Sequence, residues 1–124
     1  MTITNVQPLS VQQLSNNNWR ITVRYTATFT AQETNPPLNY TFRDTIQIRE
    51  DDPISDDHVT GWVAASNFNP AATSVLRTLT TIVNGDDLDT ELGGEEIFAR
   101  IRLRNFTTGG VPLERNTPVI NIAP

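Results

Sequence analysis

From Trp19 to Thr30 the chain alternates without a slip. Trp19, Ile21, Val23, Tyr25, Ala27 and Phe29 fall on one parity, and Arg20, Thr22, Arg24, Thr26, Thr28 and Thr30 on the other. A period of two sends successive side chains to opposite faces of a β-strand, whereas a helix would need an apolar stripe at 3.6. One dry and one wet face is the signature of an antiparallel sheet packed on one side only. Residues 38–50 repeat the pattern, with Leu38, Tyr40, Phe42, Ile46 and Ile48 opposed to Asn39, Thr41, Arg43, Thr45, Gln47 and Arg49. Residues 95–106 do so again, with Ile97, Ala99, Ile101 and Leu103 opposed to Arg100, Arg102 and Arg104.

Between these stretches the chain is punctuated by turn residues. A first extended segment over residues 3–14 is interrupted by Pro8, which has no N–H to give a ladder and so points to a sheet edge. Asn16-Asn17-Asn18 reads as a turn, because asparagine tolerates positive φ. Asn35-Pro36-Pro37 and residues 67–70 are further breaks, with a weak strand over residues 59–65 around Trp62 between them. Residues 73–83 fit two patterns. Val75, Leu76, Leu79, Ile82 and Val83 lie on a helical stripe, with Asn69 as cap and Pro70 behind it. The β-branched content (Thr73, Thr78, Thr80, Thr81, Ile82, Val83) favours a strand, and a strand is the expectation here. A last strand is expected over residues 117–122, following Pro112.

Seven short strands in 124 residues predict an all-β fold, an antiparallel β-sandwich of immunoglobulin-like or fibronectin-like architecture, in a single domain over residues 1–124. The resemblance is to the architecture alone. The chain has no cysteine for the inter-sheet disulfide of antibody domains, and no tyrosine in the sixth strand where a tyrosine corner would lie. The expected core is Ile21, Val23, Tyr25, Phe29, Tyr40, Phe42, Ile46, Ile48, Ile97, Ala99, Ile101 and Leu103, with Trp19 near one end.

The absence of cysteine excludes disulfides, cysteine nucleophiles and zinc ribbons. The first residues have neither the basic start nor the apolar stretch of a secretory signal. No run approaches the roughly 20 apolar residues of a membrane helix. The expectation is a cytoplasmic protein or a component of an exported assembly, without membrane insertion.

The net charge of −5 conceals a sorting. All nine basic residues are arginine, and most fall on outward strand positions: Arg20 and Arg24, Arg43 and Arg49, Arg100, Arg102 and Arg104. The acids gather in connections, Glu50 to Asp57 and Asp86 to Glu96. Arginine suits protein interfaces, and a basic flank facing an acidic end steers association and fixes register. Arg20, Arg24, Arg100, Arg102 and Arg104 are therefore the candidate partner-binding residues, with a protein partner or another copy as the occupant. An acidic balance argues against nucleic acid.

Motifs for chemistry are sparse. His58 is the only histidine and lies beside Asp56 and Asp57; no Gly-x-Ser-x-Gly elbow or phosphate-cradling glycine loop occurs. No catalytic residue is assigned and no cofactor is required. Asp86, Asp87, Asp89 and Glu91 put carboxylates at the close spacing calcium uses, but without the glycine and twelfth-position glutamate of an EF-hand. With Trp62 as an exposed ring, they outline the alternative, a small calcium-dependent carbohydrate-binding module. The expected function is a non-catalytic structural or adaptor domain making protein–protein contacts in a multi-copy assembly, such as a phage-like particle or surface layer, through the Arg100–Arg102–Arg104 row or an exposed edge strand.

Overall fold

The structure, a computed structural model, describes residues 1–51, 57–88 and 95–122. Two antiparallel sheets pack face to face. In the first, the alternating run forms a long central strand, β3 (Asn18–Thr28). On one side it pairs with β1 (Thr2–Thr4) and β2 (Ser10–Gln13), the two halves of an edge broken around Pro8. On the other side it pairs along its whole length with β7 (Ser74–Asn84). The second sheet is built on β4 (Phe42–Glu50) and β8 (Glu95–Asn105), paired from Phe42↔Asn105 to Glu50↔Ile97. Its edges are β5 (Asp57–His58) with β6 (Val63–Phe68) beside β4, and β9 (Leu113–Asn116) with β10 (Ile120–Ile122) beside β8. Among the described residues the ten strands thus occupy seven positions, three in one sheet and four in the other.

The apolar parity of each long strand turns into the shared core. Ile21, Val23, Tyr25, Phe42, Ile46, Ile48, Ile97, Ala99, Ile101 and Leu103 are fully buried, and Trp19 and Phe29 are nearly so. Each large apolar side chain removed from water in this way contributes about 1.5–3 kcal/mol relative to its exposed state. Phe29, Phe42, Phe68 and Tyr40 close one end as an aromatic cluster, with Phe29 and Phe42 centroids 4.5 Å apart.

Residues 73–83 are extended, as their β-branched content predicts, and β7 is one of the longest strands. Other boundaries differ from expectation. The third strand starts at Phe42 rather than Leu38. Thr34, Asn35 and the two prolines fold the preceding residues into turns, Asn39 adopts φ 55°, and Leu38 is left exposed, with Tyr40 only half-buried. The strand expected over residues 59–65 forms instead at Val63–Phe68, so it runs into the expected break at 67–70. Its pairing with β4 slips between Asp44 and Ile46, where Ala64 takes φ 56°, a β-bulge. The last strand is two, split at Thr117, whose hydroxyl accepts from the Ala99 N–H while its own N–H donates to the Ala99 carbonyl.

The core also holds a charge. Asp44, at an inward position of β4, is fully buried. Tyr25 donates its hydroxyl to Asp44 Oδ2 at 2.7 Å, and Arg77 of β7 donates Nε to Oδ2 at 2.8 Å and Nη2 to Oδ1 at 3.0 Å. Arg77 also reaches Ser66 Oγ and lies 3.8 Å over the Phe68 ring. The forked arginine–carboxylate pair and the phenol tie the two sheets together through hydrogen bonds that satisfy a buried carboxylate. Burial pushes the Tyr25 hydroxyl well above the ordinary tyrosine range, and the Asp44 carboxylate pushes the same way against the pull of Arg77. Asp44 keeps Arg77 charged despite its burial.

Candidate protein-binding face

The outer face of the four-position sheet carries five arginines. Cross-strand register sets Arg43 opposite Arg104, Thr45 opposite Arg102, Gln47 opposite Arg100, and Arg49 opposite Phe98. Like charges directly opposite repel, so Arg43 and Arg104 must be held by something else. Arg43 donates Nε to Asn67 Oδ1 at 2.8 Å and lies 4.1 Å over the Phe106 ring, and Arg104 approaches the same ring at 6.0 Å. Phe106 is half-exposed and serves as a shared cation–π platform.

The other arginines are held in similar ways. Arg100 donates Nε to Asn116 Oδ1 at 3.1 Å. Arg102 makes an ion pair with Glu114 at 2.8 Å and lies 3.8 Å over Trp62. Arg49 donates to Gln47 Oε1 at 2.7 Å. Among the described residues, Arg102 alone of Arg43, Arg100, Arg102 and Arg104 has a carboxylate partner. Amide oxygens and aromatic rings orient these guanidinium groups without cancelling their charge.

The polarity reverses along the same face. Beyond Arg49 and Phe98 the next positions are Asp51 and Glu96, joined by the Asp51 N–H to the Glu96 carbonyl. An open pocket of about 310 Å³ lies at that end, lined by Asp51, Phe98, Asn116, Thr117, Pro118 and Val119.

The structure divides the five expected partner-binding arginines. Arg100, Arg102 and Arg104 share the face just described. Arg20 and Arg24 lie on the outer face of the other sheet, on the opposite side of the sandwich, where Arg20 donates to Gln12. The acids are not all in connections: Glu50 ends β4, Glu95 begins β8, and both are buried. Asp86 and Asp87 fall in α1 (Gly85–Leu88) and are exposed, with Asp86 Oδ1 accepting from Asn17. Asp89 and Glu91 lie outside the described residues, as do residues 52–56. Among the described residues no cluster of three or more metal-ligating side chains occurs. Trp62 is half-buried, with one ring face taken by Arg102.

Glu114, Asn116 and Asn67 were not legible as parts of this face, whereas Phe106 continues the parity of Arg100, Arg102 and Arg104. The first two lie on β9, too short between Pro112 and Pro118 to alternate visibly. Among the described residues no helix is long and apolar enough to cross a membrane. In comparisons with family models, with curated proteins and with solved structures, nothing matches this chain.

Proposed function

We propose that this chain is a non-catalytic interaction domain whose arginine face receives a carboxylate-bearing protein segment, within an assembly of several copies or with an adaptor partner. The observation that carries the reading is the set of four guanidinium groups, on Arg43, Arg100, Arg102 and Arg104, held against one sheet face by amides and rings with a single carboxylate among them. A protein with a net charge of −5 concentrates positive charge here and nowhere else to this degree among the described residues. Such a patch steers an acidic partner and sets its orientation, and its effect weakens as salt screens it. The acidic connections of another copy have the required chemistry, with Asp51, Asp86, Asp87 and Glu96 exposed among the described residues. The three-plus-four partition of strand positions supports the fibronectin-like reading of the sandwich.

The test uses a synthetic peptide of residues 84–96 as probe, titrated into the full chain at low salt. Binding should shift the Trp62 indole resonance and the arginine Nε resonances, and should fade at several hundred millimolar salt. Arg102→Glu should weaken it at least about fivefold while leaving the fold intact. A flat titration to millimolar peptide, or binding indifferent to Arg102→Glu, would overturn the reading.

A further inference from the structure

The open edge of β7 is the second surface. β7 is eleven residues long and, among the described residues, pairs with β3 alone. Exposed long edges are normally blunted by lysine, proline, a bulge or an inward charge. Of these devices β7 carries only the last, Arg77, whose charge is paired inside the sandwich by Asp44; it contains no lysine, proline, glycine or acid. Leu76 and Ile82 are 68% and 56% exposed on its outer face, too open for a monomer's core.

The backbone direction of that edge follows from the bonds at its two ends. Phe29 N–H donates to Thr73 O, and Gly85 N–H to Asn17 O, so odd-numbered residues of β7 bond to β3. Antiparallel ladders alternate, so Ser74, Leu76, Thr78, Thr80, Ile82 and Asn84 turn both N–H and C=O outward.

The sequence of β7 is chemically symmetric about Leu79. Ser74 matches Asn84, Val75 matches Val83, Leu76 matches Ile82, and Thr78 matches Thr80; only Arg77 and Thr81 differ. A two-fold antiparallel pairing centred on Leu79 therefore sets Leu76 of each copy against Ile82 of the other, twice, and Thr78 against Thr80. All six outward-bonding residues meet outward-bonding residues, and no like charges are opposed. We infer that β7 is a dimerisation edge, and that its occupant is β7 of a second copy, joining two three-position sheets into one. The contact is isologous and closes on itself. Growth stops there, because the far edge of the sheet is β1 and β2, broken around Pro8. The surface lies on the sheet opposite the arginine face, so the inference shares only the broad reading of a contact-making domain and stands or falls separately.

Sedimentation equilibrium of the full chain from micromolar to several hundred micromolar tests it. A reversible dimer is expected. Leu76→Lys and Ile82→Glu should each weaken it at least about tenfold, by setting a charge against an apolar side chain at both symmetry-related positions. Combining L76K with I82E should recover most of that loss, because position 76 faces position 82 in this register and the two new charges are opposite. Both sites are exposed, and far-UV circular dichroism checks that the fold survives. A chain that remains monomeric throughout, or a double variant weaker than either single one, overturns the inference. A dimer dissociated by Arg102→Glu but not by Leu76→Lys also overturns it, while leaving the arginine-face reading standing.

Discussion

Asp44 is the residue on which the two sheets depend most locally. Its carboxylate accepts from Tyr25 on β3 and from two nitrogens of Arg77 on β7, so its loss strands a phenol and a half-buried guanidinium at once. Removing one partner of a buried pair typically costs about 3–5 kcal/mol because the remaining charge has nowhere to go. Asp44→Ala should show that loss in urea unfolding at neutral pH. Replacing Arg77 by Met in the same chain removes the orphaned cation, so the double variant should be at least as stable as Asp44→Ala alone. A double variant clearly less stable than the single one would mean that Arg77 stabilises through something other than Asp44. This triad was not legible in the sequence. Alternation marks position 44 as inward, but a carboxylate there reads as an interruption of the apolar row. Its partners lie 19 and 33 residues away on the other sheet. The apolar core was legible because burial follows parity alone. Tyr40 fell out of it because the turn at residues 34–39 delays the strand.

At the scale of elements, turns decide where strands begin. Asn16 and Asn17 both adopt φ 61°, a left-handed conformation that asparagine tolerates in turns. That turn joins β2 to β3 and also latches the exit of β7. Gly85 N–H donates to Asn17 O at 2.6 Å, Asn17 Nδ2 donates to Asp86 Oδ1 at 2.8 Å, and Asp86 N–H donates to Asn84 Oδ1 at 2.8 Å. A Cβ on Gly85 would run into the Asn17 side chain and stand 3.0 Å from its carbonyl oxygen. The side chain can swing away only by giving up Asp86, and the carbonyl cannot. Gly85→Ala should therefore destabilise the fold by about 1–3 kcal/mol, lowering the thermal midpoint without changing the far-UV spectrum of the folded state. An unchanged midpoint would mean that the turn can shift freely. The asparagine turn was readable from residue type, but its contact with β7 was not, since it joins positions 68 apart. The same limit hid β9: four residues between prolines carry too little alternation to register, and Glu114 and Asn116 went unseen with it.

For the whole molecule, the buried phenol couples stability to alkaline pH. Burial, reinforced by Asp44, raises the Tyr25 ionisation well above its ordinary value. Unfolded tyrosine ionises near pH 10. Below that pH both states hold the proton and the contribution of Tyr25 is fully present. Above it the unfolded chain loses a proton that the native chain keeps, so unfolding becomes progressively easier as pH rises toward the native ionisation. One proton's difference corresponds to about 1.4 kcal/mol of lost stability per pH unit. Arg77 does not offset this, because Asp44 holds it charged over the same range. Urea midpoints measured at intervals from pH 9 to pH 12 should therefore fall more steeply for the native sequence than for Tyr25→Phe. The variant begins lower, having lost the hydrogen bond to Asp44, and the two curves should converge as pH rises. Phenolate absorbance should report Tyr25 ionising only with unfolding. Parallel curves for the two chains would mean that Tyr25 titrates as freely in the folded state as in the unfolded one, and that the junction between the sheets is wet.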